Sequence, residues 1–114
     1  MKRVYIDYLQ DMLSNAERAI QFAYGMSYEA FAKDEKTVYA IIRAIEIIGE
    51  ASQKIPNEIR TKYPEIPWRE VSAMRNKLVH EYFGINMEVV WQTIHDDLPM
   101  LVPALKEVLK KQSE

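Results

Sequence analysis

Cysteine is absent from the 114 residues, which excludes disulfides, thiolate metal sites and a cysteine nucleophile. Histidine is scarce: His80 and His95 are the 2 imidazoles, too few for a His-based zinc site, and no metal or cofactor is expected. With only 3 Gly and 5 Pro and 48% apolar residues, the length suits one compact domain over residues 1–114. Long apolar runs are also missing. In the opening stretch "MKRVYIDYLQDMLSN", Asp7 and Asp11 interrupt any such run, so neither a signal peptide nor a span of about 20 apolar residues is expected. The chain therefore reads as a soluble, cytoplasmic protein without a membrane partner. Excess basic charge is lacking too. At a formal charge of −2, a nucleic-acid ligand would have to meet a local basic patch.

What the chain does have is aromatic side chains and helical periodicity. The 7 Tyr and 2 Trp are many for a small helical domain, and such rings favour protein interfaces, which points to self-association. From Val4 to Tyr24, apolar residues recur at three- and four-residue spacing, the pattern of an amphipathic helix that Gly25 would stop. "SYEAFAKDE" reads as a connector in which Tyr28 and Phe31 cover the core. Asp34 is the expected N-cap of a second helix, from about Glu35 to about Lys54, with Val38, Ile41, Ile42, Ile45, Ile48, Gly49 and Ser52 in one stripe. Gly49 costs such a helix about 1 kcal/mol relative to Ala, which predicts close approach of the following helix. "IPNEIRTKYPEIP" is a proline-broken loop with room for one helical turn. A third helix is expected from about Pro67 to about Tyr82. A fourth starts at an Asn86 cap and carries a kink or restart near Asp97, because Pro99 and Pro103 interrupt its pattern. No strand or hairpin signal appears, so an all-α antiparallel bundle of four to five helices is the economical fold.

The stretch "AMRNKLVHEYFG", Ala73 to Gly84, does not fit a simple core helix. On an ideal wheel Trp68, Val71, Met74, Leu78, Val79 and Tyr82 share a face, and Arg75 falls near its middle. Burying a guanidinium is costly unless it is paired, whereas at a cleft or subunit junction its charge stays hydrated while its stem packs. Asn76 and His80 stack on an adjacent strip. Arg75 and His80 would stand about 140° apart on an ideal helix, so either the helix loosens before Gly84 or a second protomer completes the site across a two-fold axis. His80 can exchange a proton near neutral pH, and Arg75 can hold a phosphate or its transition-state charge bidentately. Those groups suffice to cleave RNA without metal, since the 2′-hydroxyl is a built-in nucleophile.

"RNKLVHEY" resembles the R-x4-H-x-Y signature, with Asn after the Arg, of the HepT-like subset (DUF86) of HEPN domains, the toxin half of MNT/HEPN toxin–antitoxin modules. "AIEIIGEASQKIP" is similar to that family's second helix and "VWQTIHDDLPMLVPAL" to its last, so the resemblance covers nearly the whole chain. The resemblance implies a homodimeric bundle whose paired third helices line a cleft with metal-independent ribonuclease activity. It assigns charge stabilisation to Arg75, acid or base catalysis to His80, and orientation of the phosphate or the imidazole to Asn76. It makes Tyr82 the residue that a cognate MNT nucleotidyltransferase AMPylates to silence the toxin. A bulky anionic nucleotide beside Arg75 would block the cleft and neutralise its charge. A second hypothesis stands beside this one: a catalytically silent nucleotide-binding or interaction domain that docks the nucleotidyltransferase, which the acidic net charge supports. The polar side of the second helix adds one further expectation. Glu50, or failing that Glu46, would reach Arg75 or His80 and fix its orientation.

Overall fold

A computed structural model describes residues 3–80 and 84–113, and its fold is an all-α bundle. Helix α1 (Arg3–Ala23) ends where Gly25 takes a φ of +78°, a left-handed turn that only glycine adopts without strain. The connector that follows forms a short helix, α2 (Tyr28–Lys33). The Ser27 hydroxyl caps it by accepting from the backbone of Ala30, and Phe31 is fully buried. Helix α3 (Glu35–Gln53) starts at Asp34, whose carboxylate accepts from the Thr37 backbone at 3.1 Å. The apolar stripes expected on α1 and α3 meet each other: Leu9, Met12, Ala16 and Ala19 face Ile41, Ile45 and Ile48 in one dry core.

The proline-broken loop contains helix α4 (Asn57–Lys62), and Ile59, Tyr63 and Ile66 turn inward from this region. Tyr63 ties it to neighbours, its carbonyl accepting from the Trp68 indole at 3.0 Å and its hydroxyl from Gln112 at 2.6 Å. The last helical stretch comprises α6 (Met87–Gln92), a widened π turn (Thr93–Asp97) and α7 (Leu98–Gln112). Asn86 caps it, its side chain accepting from Val89 at 3.3 Å. The break expected near Asp97 is this π turn. Pro99 has no N–H to donate to the carbonyl one turn back, and its ring crowds that carbonyl, so the widened turn sits immediately ahead of it. Helix α7 supplies Leu98, Leu101, Leu105 and Val108 to the core and packs on α1. No helix among the described residues is long and apolar enough to cross a membrane.

The third predicted helix departs from expectation. Helix α5 (Trp68–Ala73) tightens into a 3-10 turn (Met74–Lys77). Leu78 donates back to Arg75 at 3.2 Å, and strand β1 (Val79–His80) then pairs antiparallel with β2 (Gly84–Ile85). Gly84 has a φ of +79°, which suits a chain reversal, and Asn86 donates to the Leu78 carbonyl at 2.7 Å, closing the loop at its base. The β-branched Val79 is at home in extended backbone. A helix running through His80 to Tyr82 is therefore corrected to a helix that ends at Ala73. Tyr82 itself lies outside the described residues.

Candidate active site

The floor of the site is the crossing of α3 and α5, where side chains are small. A Cβ placed on Gly49 would lie 3.4 Å from the Ser72 carbonyl, 3.7 Å from that of Val71 and 3.8 Å from Cδ of Arg75. The close approach that Gly49 predicted is thus present, and the Arg75 stem lies directly over it. Below, the buried Ser52 hydroxyl donates to the Gly49 carbonyl at 2.8 Å and contacts the Ser72 hydroxyl at 2.7 Å. These bonds lock the two helices in register under the motif.

Arg75 and Asn76 occupy the 3-10 turn and are both exposed. The guanidinium keeps its water while its methylenes pack, which is the cheaper of the placements open to an arginine at this position. The wheel placed Arg75 at the centre of an apolar face. The actual turn carries Met74 and Leu78 inward and lets Arg75 out between them. His80 follows on β1, its backbone paired with Gly84, while its side chain lies outside the described residues. The 140° separation of an ideal helix does not apply, because the chain has left helical geometry before His80. Loosening ahead of Gly84, one of the alternatives the sequence left open, is what occurs.

Glu50 and Glu46 lie on the exposed side of α3. Both point to Arg43, at 3.5 and 3.8 Å, with the Glu50 side chain 48% exposed. Gly49, not Glu50, is the position that faces α5. Among the described residues no ion pair joins either carboxylate to Arg75, and a contact with the His80 side chain lies outside them. Nor do the described residues include a group of three or more His, Asp or Glu placed to hold a metal ion.

Two recesses flank the motif turn. One, of about 370 Å³, lies between α5 and α7 and is lined by Val71, Met74, Leu101 and Ala104, with Lys77, Glu65, Glu70 and Asp97 at its edges. The other, about 470 Å³ and shallow, is lined by Gln53, Arg60, Trp68, Arg69, Ser72, Ala73 and Asn76. Sequence reasoning did not single out Arg60, Arg69 or Gln53. They come from three separate elements, and no spacing along the chain brings them together.

An all-α bundle is the fold that the resemblance implied, although the helix expected to carry Arg75, Asn76 and His80 together ends before His80. The chain belongs to the HepT-like family, whose profile, described as "Ribonuclease HepT-like", matches residues 12–109. It is 46% identical over 110 residues to a protein of Thermococcus cleftensis named "Probable ribonuclease HepT", covering 96% of this chain and 100% of that one. A protein of Caldanaerobacter subterraneus subsp. tengcongensis named as a "Putative RNase" is 43% identical over 92% of this chain and 94% of its own length. A Methanocaldococcus jannaschii protein, also named as a "Putative RNase", is 41% identical over 99% and 97% respectively. No solved structure matches the chain.

Proposed function

We propose that this protein is a metal-independent endoribonuclease that acts as a homodimer, and that it is the toxin of an MNT/HEPN pair. The observation that carries the reading is the exposed Arg75–Asn76 turn with His80 immediately after it, set on the close α3–α5 crossing. Membership of a family described by its ribonuclease supports it. In the proposed reaction the 2′-oxygen of the RNA attacks the adjacent phosphorus and its proton leaves to a base. The bond from phosphorus to the 5′-oxygen then breaks, and that oxygen takes up a proton. The products are a 2′,3′-cyclic phosphate and a 5′-hydroxyl, with no net proton consumed. His80 carries one of the two proton transfers, and Arg75 holds the non-bridging oxygens as their charge grows. Asn76, a neutral donor beside Arg75, orients the phosphate or the imidazole. A second protomer across a two-fold axis would bring both copies of the motif to one cleft.

Control of the activity would fall on Tyr82. A cognate nucleotidyltransferase would transfer AMP from ATP to its phenolic oxygen with release of pyrophosphate, adding an anionic group to the segment that follows the Arg75–Asn76 turn. The test is incubation of purified protein with total RNA in EDTA, beside Arg75→Ala and His80→Ala, with the intact mass of each preparation recorded. Cleavage by the unsubstituted protein alone supports the assignment, and an unchanged rate in His80→Ala overturns it. An unmodified protein that binds the nucleotidyltransferase but leaves RNA intact would favour the silent docking domain, which the formal charge of −2 supports.

A further inference from the structure

We infer that the recess lined by Gln53, Arg60, Arg69, Ser72 and Asn76 is a backbone-binding subsite for single-stranded RNA, holding the phosphate that neighbours the one to be cleaved. This rests on the proposed nuclease activity and names where its substrate lies outside the reacting bond.

Charge distinguishes this recess from its counterpart across the motif turn. Its lining includes Arg60 and Arg69 and no Asp or Glu, in a protein whose formal charge is −2. The recess on the other side of the turn carries Glu65, Glu70 and Asp97 against the single Lys77. A polyanion whose scissile phosphate sits at Arg75 is repelled on one side and attracted on the other. Asn76 is common ground: it forms part of the motif and part of the cationic recess, so the subsite is continuous with the candidate active site.

Arg60 is also held in position in advance. Its Nε donates to the Ile55 carbonyl at 3.1 Å and its Nη2 to the Ser52 carbonyl at 2.7 Å. Neutral carbonyls fix the plane of the fork without cancelling its charge, so little side-chain entropy remains to be lost when an anion arrives. Arg69 is exposed on the first turn of α5, and among the described residues it makes no ion pair. Gln53, Ser72 and Asn76 add neutral donors that suit phosphate and sugar oxygens and carry no sequence preference.

The test is fluorescence anisotropy with a labelled 2′-O-methyl RNA oligonucleotide, which lacks the attacking hydroxyl and cannot be cut. Arg69→Gln should weaken binding on the order of fivefold and make the dependence of log affinity on log salt shallower by about 0.7, the share of one phosphate on a single strand. Arg69→Lys should keep the slope. Gln53→Glu, which places a carboxylate in the lining, should weaken binding at low salt. Lys36→Gln removes a charge near the opposite end of α3 and should leave the slope unchanged. Equal affinity and slope in Arg69→Gln, with its thermal midpoint intact, would overturn the subsite, as would an equal effect from Lys36→Gln. Because the probe is uncleavable, the binding result stands apart from the cleavage assay: an absence of cutting by the unsubstituted protein overturns the nuclease reading instead.

Discussion

Substitutions at Gly49 test whether the α3–α5 crossing supports the motif. In Gly49→Ala the added methyl meets the Ser72 carbonyl at 3.4 Å and the Arg75 Cδ at 3.8 Å, both ordinary contact distances. The helix meanwhile gains up to about 1 kcal/mol by losing a mid-helix glycine. The expected balance is a stabilisation between zero and about 1 kcal/mol, a rise of a few degrees in midpoint for a chain of this size. Gly49→Val is different, because its γ-methyls extend beyond a Cβ that already touches three atoms. Making room moves α5 or lifts the Arg75 stem, at a cost of about 1–3 kcal/mol. Urea denaturation at constant m-value measures both, and RNA cleavage by each folded variant reports on Arg75. Cleavage should survive in the alanine variant and fall in the valine one. A valine variant as stable and active as the parent would refute the close crossing, and an alanine variant destabilised by more than about 1 kcal/mol would show it to be tighter than the distances say.

Leu78 is fully buried and its carbonyl receives the Asn86 N–H at 2.7 Å, so it anchors the segment that carries His80. Leu78→Ala should cost about 2–5 kcal/mol in urea denaturation. Ser72→Ala should cost less than Ser52→Ala, because Ser52 keeps its bond to the Gly49 carbonyl when Ser72 is removed; equal losses would contradict the hydrogen-bond pattern. The Thr37 backbone N–H, donating to Asp34, holds that carboxyl below its ordinary value. A depressed folded pKa gives stability that is complete above the unfolded value of about 3.9 and is lost as pH falls through the folded one. The parent should therefore lose its advantage over Asp34→Asn on acidification, and a gap independent of pH would rule this out. Glu50→Gln breaks an exposed pair with Arg43 and should leave both stability and cleavage unchanged, since such pairs contribute little; lost cleavage would return Glu50 to the site.

Much of the fold was legible because the apolar stripes of α1, α3 and α7 are long, and their stops are chemically explicit. Gly25, Asp34 and Asn86 each do locally what their residue type favours. Short elements were harder. In α2 and α4, 6 residues each, Phe31 and Ile59 turn inward, yet neither segment is long enough to display a period. The end of α5 was misplaced for a different reason. Met74, Leu78, Val79 and Tyr82 continue a helical repeat, so periodicity favours a helix to Tyr82. Instead the helix tightens into a 3-10 turn from Met74, and beyond it the Leu78 carbonyl is taken by Asn86, eight residues on. A tertiary bond of that kind leaves no trace in local spacing.

The candidate site divides along the same line. Arg75 stood out because on a helical wheel it interrupts an apolar face, with Asn76 and His80 on the adjacent strip, an anomaly visible in one dimension. Gly49 stood out because a glycine inside a helix demands a reason, and the Arg75 stem above it supplies one. Arg60 and Arg69 are unremarkable in sequence, since each lies in or beside a short helix and arginines on such helices are usually solvated. Only the folded chain places them around one recess free of carboxylates. Glu50 shows the converse. Its sequence neighbour Gly49 does face α5, but one residue along a helix is a rotation of about 100°, enough to carry the carboxylate from the crossing to the Arg43 side. Chemical oddity in a sequence therefore marks the groups of the proposed chemistry, whereas those of the proposed backbone subsite become visible only when separate elements converge.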